Sequence, residues 1–209
     1  MDDLIEKKQK ILSLVKHERM SFFTFYSSKA KYELDVLDLI ELENGAQPPK
    51  EQHIYEPNEG YVRFVQNRDY GSDSHLTYIP ISKRNHICSE KDIMMDKYGE
   101  AGEVRYGIAG AYNVALLKIV TKTPSQREYI RDYFSQNNIK NILYLSSQAS
   151  TRPSLNESTF KALKIPMLTD SDFIEYNQRL TIFLDYELKT KDEINSYQKI
   201  KANLLAKYF

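Results

Sequence analysis

The 209-residue sequence contains no tryptophan and a single cysteine, Cys88. One thiol excludes an internal disulfide and any cysteine-based metal cluster. The four histidines (His17, His53, His75 and His86) lack a pair at helical ligand spacing, which argues against a structural zinc site. There is no Gly-x-x-x-x-Gly-Lys-Ser/Thr, no Gly-x-Gly-x-x-Gly after a strand, and no serine in a Gly-x-Ser-x-Gly setting. The common phosphate-cradling loops and the nucleophile elbow are therefore absent. No apolar run approaches the roughly 18 residues of a membrane span, and no signal peptide is visible, so a cytoplasmic chain is expected. Neither charge sign dominates, with 29 basic and 29 acidic side chains.

What is present is unevenly placed. Residues 1–59 hold 8 basic and 12 acidic side chains, residues 60–165 hold 15 and 10, and residues 166–209 hold 6 and 7. The basic excess lies in the middle, where a polyanionic partner is best sought. Sixteen tyrosines add amphipathic surface suited to interfaces.

Apolar residues at three-, four- and seven-residue steps (Leu4, Ile11, Leu14/Val15, Phe22) predict a helix over residues 2–26. The stretch Leu34–Glu41 reads as a short helical turn or strand, and Asn44-Gly45 as a turn before Pro48-Pro49. Short strands are expected at Tyr61–Val65, Leu76–Ile79, Asp92–Met95, Glu103–Ile108, Val114–Val120 and Ile142–Leu145. A helix is expected over 124–138 with Pro124 in its first turn, and a short one from Asn156 to Leu163. Strands at this spacing predict a curled or barrel-like sheet. A long helix then runs from Ser171 to Phe209, capped by Asp170 or Ser171. Its stripe is Phe173, Tyr176, Leu180, Phe183, Leu188, Ile194, Tyr197, Leu204 and Tyr208. Such a helix outruns a domain of this size, so the stripe calls for a second helix; a break near Thr190-Lys191-Asp192 is the alternative. The expected fold is α+β: an N-terminal helix (1–26), a β-rich recognition domain (27–168), and a coiled-coil-type helix (169–209).

The two ends of the chain match at one fixed offset of 189 residues: Ile5 with Ile194, Gln9 with Gln198, Lys10 with Lys199, Ile11 with Ile200, and Val15 with Leu204. A chain that repeats its own helical end reads as one unit of a tandem or dimeric array. The candidate pairing residues are Leu4, Ile11, Val15, Leu188, Ile194, Tyr197, Ile200 and Leu204.

No catalytic constellation is found. Cys88, two residues from His86, reads as a small core or loop thiol rather than an activated nucleophile. Three loops carry groups suited to base edges and phosphates. The first offers Asn67, Arg68 and Tyr70. The second, Asp96–Tyr106, offers Lys97, Tyr98 and Arg105 around a hairpin with Gly99 and Gly102. The third, Ser146–Ser154, offers Gln148, Thr151 and Arg152. Each loop alone is more often a solvated turn; three on one basic segment strengthen the case.

In order along the chain, Leu34–Glu41 with Asn44-Gly45, Tyr61–Asp69, Asp92–Gly102, Ala111–Leu116, Ser146–Leu155 and Leu163–Pro166 resemble the specificity subunits of type I restriction-modification systems. The resemblance covers nearly the whole chain. It implies a target recognition domain that reads one half of a bipartite DNA site, with the helices setting the distance between half-sites. It also implies partners: a modification subunit that methylates adenine with S-adenosylmethionine, and a restriction subunit. The chain itself then holds no cofactor and is not an enzyme. Full subunits of the family resemble two such units in tandem, so one recognition domain with a helix at each end resembles a half-length form. Such a form works as a homodimer or with another specificity chain. The family's Pro-x-x-x-Glu-Gln stretch is replaced here by Thr169-Asp170-Ser171-Asp172, which leaves contacts with the modification subunit open. The competing reading is a helical scaffold or regulatory binding protein without DNA sequence readout.

Overall fold

A computed structural model of the chain describes residues 1–71, 75–148 and 153–208. Contacts divide it into two units, one formed by Met1–Lys31 with the chain from Met167 onward, the other by Tyr32–Pro166.

The first unit consists of helices α1 (Asp2–Ser27) and α6 (Asp170–Tyr208). They run antiparallel, as shown by the pairs Asp2–Lys201, Lys8–Glu193, Phe22–Phe183 and Tyr26–Tyr176. Along α1, Ile5, Lys8, Leu12, Val15, Arg19, Phe22 and Tyr26, all buried or half-buried, alternate steps of three and four, with Phe23 buried beside them. Along α6, Phe173, Tyr176, Leu180, Phe183, Glu187, Thr190, Ile194, Tyr197 and Lys201 do the same. This heptad spacing keeps one seam of each helix on the other. Polar Glu187 and Thr190 lie in the seam where the sequence pointed to Leu188. Arg19 is buried as well, donating to the Leu180 carbonyl at 3.1 Å. The helix does not break at Thr190-Lys191-Asp192. Thr169, rather than Asp170 or Ser171, caps it: its Oγ1 accepts from the Asp172 backbone N–H at 3.2 Å and donates to the Asp172 carboxylate at 2.7 Å. No helix among the described residues is long and apolar enough to cross a membrane.

The second unit is closed at its ends by β1 (Glu33–Asp35) pairing antiparallel with β10 (Lys164–Pro166). Within it are β2 (Ile40–Asn44), β3 (Tyr61–Val65), β4 (Tyr78–Pro80), β5 (Ile87–Cys88), β6 (Ile93–Asp96), β7 (Val104–Arg105), β8 (Gly110–Tyr112) and β9 (Leu116–Thr121), with short helices α2 (Val36–Leu39), α3 (Arg127–Phe134), α4 (Asn137–Gln148) and α5 (Glu157–Phe160). Two four-stranded sheets form, in the orders β2-β9-β6-β7 and β4-β3-β8-β5. β3 and β8 are parallel; the other ladders are antiparallel. The β-rich fold is as expected, but among the described residues both sheets are open, so the barrel-like expectation does not extend to closure.

One core cluster joins Val65, Cys88, Met94, Tyr112 and Leu116; another joins Phe64, Ile79 and Ala111. The expected strand Ile142–Leu145 is instead the middle of α4. Its apolar run looked continuous, but Ile139, Leu143 and Ser147 are buried at four-residue steps while Ile142, Tyr144 and Leu145 face solvent. The helix expected over 124–138 is interrupted, with a 3-10 turn at Pro124–Gln126, α3, and a new start at Asn137. Leu34–Glu41 contains both of its alternatives, β1 and α2, before β2 begins.

Candidate nucleic-acid interface

β3 ends at Val65 and the chain turns through Asn67–Tyr70. Gln66 and Asp69 form a reciprocal capping box that fixes the turn, with the Gln66 N–H donating to Asp69 Oδ2 at 3.1 Å. The second loop leaves β6 at Asp96 and returns in β7. Gly99 and Gly102, at φ of 73° and 92°, adopt the left-handed conformation that glycine tolerates. A side chain at Gly102 would meet Leu143 Cβ at 3.0 Å, so glycine lets α4 close on the hairpin, and Lys140 of α4 pairs there with Glu103.

The two loops meet at Asp96, which is 2% exposed. Its carboxylate accepts from Asn67 Nδ2 at 3.0 Å and from Arg105 Nε and Nη2 at 3.1 and 2.7 Å. Asn67 also donates to the Ala115 carbonyl at 3.3 Å, and Arg105 reaches Glu100 at 2.5 Å. Burial pushes the Asp96 carboxyl up, against the opposing pull of Arg105. From the sequence, Asp96, like Asp92, reads as a turn carboxylate that caps or solubilises; its role as the shared acceptor is visible only in the fold. The signal of its burial is its position directly after Met94 and Met95, both fully buried.

The expected DNA-facing residues divide accordingly. Asn67 and Arg105 spend their polar atoms inside the protein. Tyr70 packs its ring on the Val65–Leu116 cluster, its hydroxyl is buried, and burial pushes its pKa far above the ordinary phenol value. Its position follows from the turn at Asn67–Tyr70, which folds the ring back under Arg105, 5.9 Å away. Arg68 is exposed, its guanidinium touching the His75 carbonyl and the Thr77 hydroxyl at 3.5 and 3.4 Å. Lys97 donates to Asn44 Oδ1 at 2.7 Å beside Tyr98, which is 40% exposed. Gln148 is exposed at the end of α4, and Thr151 and Arg152 lie outside the described residues. A basic pair outside the three loops, Lys83-Arg84, is exposed on a turn held by Asn85 Nδ2 donating to the Pro80 carbonyl at 2.9 Å. Its signal was two adjacent cations between strands in the basic segment.

Cys88 is buried, donates to the Ile108 carbonyl at 3.5 Å, and has its pKa pushed up to about 11 by burial. It is a neutral core thiol at physiological pH. Among the described residues no group of His, Cys, Asp and Glu is arranged to hold a metal.

The family model of the type I restriction modification DNA specificity domain matches residues 29–202. The chain belongs to this family. Solved structures agree on the fold. The type-I restriction-modification S subunit from M. genitalium superposes at a TM-score of 0.64 with 17% identity, covering 100% of this chain and 55% of that one. A chain solved for complex assembly and conformational transition of a type I restriction-modification system gives 0.53 and 12%, covering 97% and 52%. The chain thus spans about half the length of the solved chains it matches. No curated protein sequence matches it significantly.

Proposed function

We propose that this chain is the sequence-specific DNA recognition subunit of a type I restriction-modification complex, reading one half of a bipartite site. The observation that carries the reading is the family match across 29–202, which takes in both the β-rich unit and most of α6. Arg68, Lys97, Tyr98 and Gln148 face the duplex, Thr151 and Arg152 contribute further DNA contacts, and Lys83 and Arg84 add phosphate contacts that position without reading sequence. Asn67, Tyr70 and Arg105 act beneath them, holding the two loops on Asp96. The chain catalyses nothing and carries no cofactor. It positions a cytoplasmic adenine methyltransferase, which brings S-adenosylmethionine, and a restriction subunit. The helical unit pairs with a second specificity chain and so fixes the spacing of two half-sites; two identical copies would read an inverted repeat.

The test is base preference. In the complex with the modification subunit, Arg68→Ala and Arg152→Ala should each cost about 1–3 kcal/mol at one base position and relax selection there. Lys83→Ala with Arg84→Ala should weaken binding to all duplexes alike and flatten the salt dependence. If every variant bound all sequences as the parent does, the interface would be misplaced.

A further inference from the structure

The seat that α1 occupies on α6 is the one a second α6 would occupy. The ends of the chain match at an offset of 189, and the match keeps the seam in phase. Ile5, Lys8, Leu12 and Val15 face α6, and their counterparts at this offset are Ile194, Tyr197, Lys201 and Leu204, the continuing three-four series of α6. Lys8 pairs with Glu193 at 2.5 Å. Exchanging α1 for a second α6 therefore sets Tyr197 of one copy on Glu193 of the other. The reciprocal contact, Glu193 on Tyr197, is then generated by the same two-fold axis. An isologous antiparallel pair follows without any change of register.

We infer that the first four turns of α1 act as an intramolecular stand-in for a second copy's α6, masking the seam through which two specificity chains pair. This deepens the pairing proposed above and rests on it.

Charge explains why the stand-in holds. Asp2 pairs with Lys201 at 2.5 Å, whereas its counterpart in a second α6 is Lys191. Displacing α1 from both chains thus replaces four ion pairs, two in each chain, by two Lys191–Lys201 approaches and two Glu193–Tyr197 contacts. The hydrogen bonds from Lys201 and Lys8 hold Asp2 and Glu193 below the ordinary carboxylate range. Tethering adds an effective concentration on the order of millimolar that a second chain must exceed. The apolar faces match at two positions, Ile5 with Ile194 and Val15 with Leu204, and differ at Leu12, whose counterpart is Lys201. The end of α6 that a second chain would meet first, with Ile200, Leu204 and Leu205, is about half exposed. The second half of α1 stays in place through Arg19, Phe22 and Tyr26, which hold Leu180, Phe183 and Tyr176.

Three forms of the full chain decide the matter. Asp2→Lys with Lys8→Glu reverses both ion pairs and releases the stand-in. Lys8→Cys with Glu193→Cys, oxidised, locks it. Copies carrying Glu193→Cys mixed with copies carrying Tyr197→Cys report the seam by an intermolecular disulfide. Sedimentation should show the released chain dimerising at a concentration at least tenfold below the parent and the locked chain staying monomeric. The mixed disulfide should form at least tenfold faster on the released background. A released chain that dimerises without the 193–197 cross-link pairs through another face, such as the exposed stripe of Ile174, Ile182 and Tyr186, and overturns the inference. A locked chain that dimerises as readily as the released one overturns the masking role and leaves the proposed pairing standing. A released chain that stays monomeric at 100 μM, with its helical signal intact, overturns both.

Discussion

Replacing Asp96 with alanine removes the acceptor on which both candidate reading loops converge, and its cost can be worked from the geometry. Three hydrogen bonds end on this carboxylate, two of them from a guanidinium. Bonds to charged groups contribute about 1.5–3 kcal/mol each, and removing one partner of a buried ion pair costs about 3–5 kcal/mol. The lower end applies here. The Arg105 side chain is 23% exposed and retains Glu100, so its charge is not stranded. A loss of about 3 kcal/mol follows, which at a urea slope of about 2 kcal/mol/M lowers the unfolding midpoint by about 1.5 M. Asp96→Asn keeps one acceptor and should lose about half as much. Arg105→Met combined with Asp96→Ala should be less costly than the two singles summed, by more than about 1 kcal/mol. DNA affinity should fall by a similar factor for every sequence, because the loops loosen and no base contact is lost. A midpoint shift below about 0.3 M, or a change confined to one base position, would refute the assignment of Asp96 as a structural hub.

Gly110 has φ of 154°, and a Cβ there would lie 2.4 Å from the Arg63 carbonyl oxygen, so Gly110→Ala should cost at least about 2 kcal/mol in urea unfolding by forcing β3 and β8 apart. The ion pairs between α1 and α6 predict a stability plateau with two edges. Asp2 and Glu193 have depressed pKa values, so their contribution is full above the ordinary carboxylate value of about 4 and is lost as pH falls through the folded values. Lys8, raised by its hydrogen bond to Glu193, contributes below about pH 10.4 and loses that contribution as pH rises through its folded value. Amide exchange in the first turns of α1, corrected for intrinsic rates, should therefore quicken at both extremes, and high salt should flatten the profile. Cys88 should resist iodoacetamide at pH 8 in the native protein and react at once in urea; rapid native alkylation would contradict its burial.

The helices were legible because their seams repeat. The three-four steps from Phe173 to Tyr197 mark one helix whatever it packs on, and the repeat of the ends pointed to helix pairing. The partner was not legible: periodicity marks an apolar face and leaves open whether the same chain covers it. The strands Tyr61–Val65 and Leu116–Thr121 carried their own pattern. The apolar run in α4 did not, since exposed Ile142, Tyr144 and Leu145 interleave with buried Leu143 and give no clean period. At the candidate interface the sequence located the loops. It could not distinguish a guanidinium that stays half exposed beside a carboxylate, as Arg68 does 3.8 Å from Asp69, from one bonded at 2.7 Å to a buried carboxylate, as in Arg105. That distinction depends on Asp96 and Arg105 lying near facing positions of the β6–β7 ladder, and pairing register is a tertiary property.

The most direct test of the central claim is selection from a random duplex pool by the chain assembled with a modification subunit, with affinity for the selected duplex followed across a salt series. The account predicts enrichment of a defined half-site and an affinity that falls steeply and log-linearly with salt, the slope reporting the phosphates neutralised. A pool that stays random, with binding indifferent to salt, would contradict it and leave the helical scaffold reading in its place.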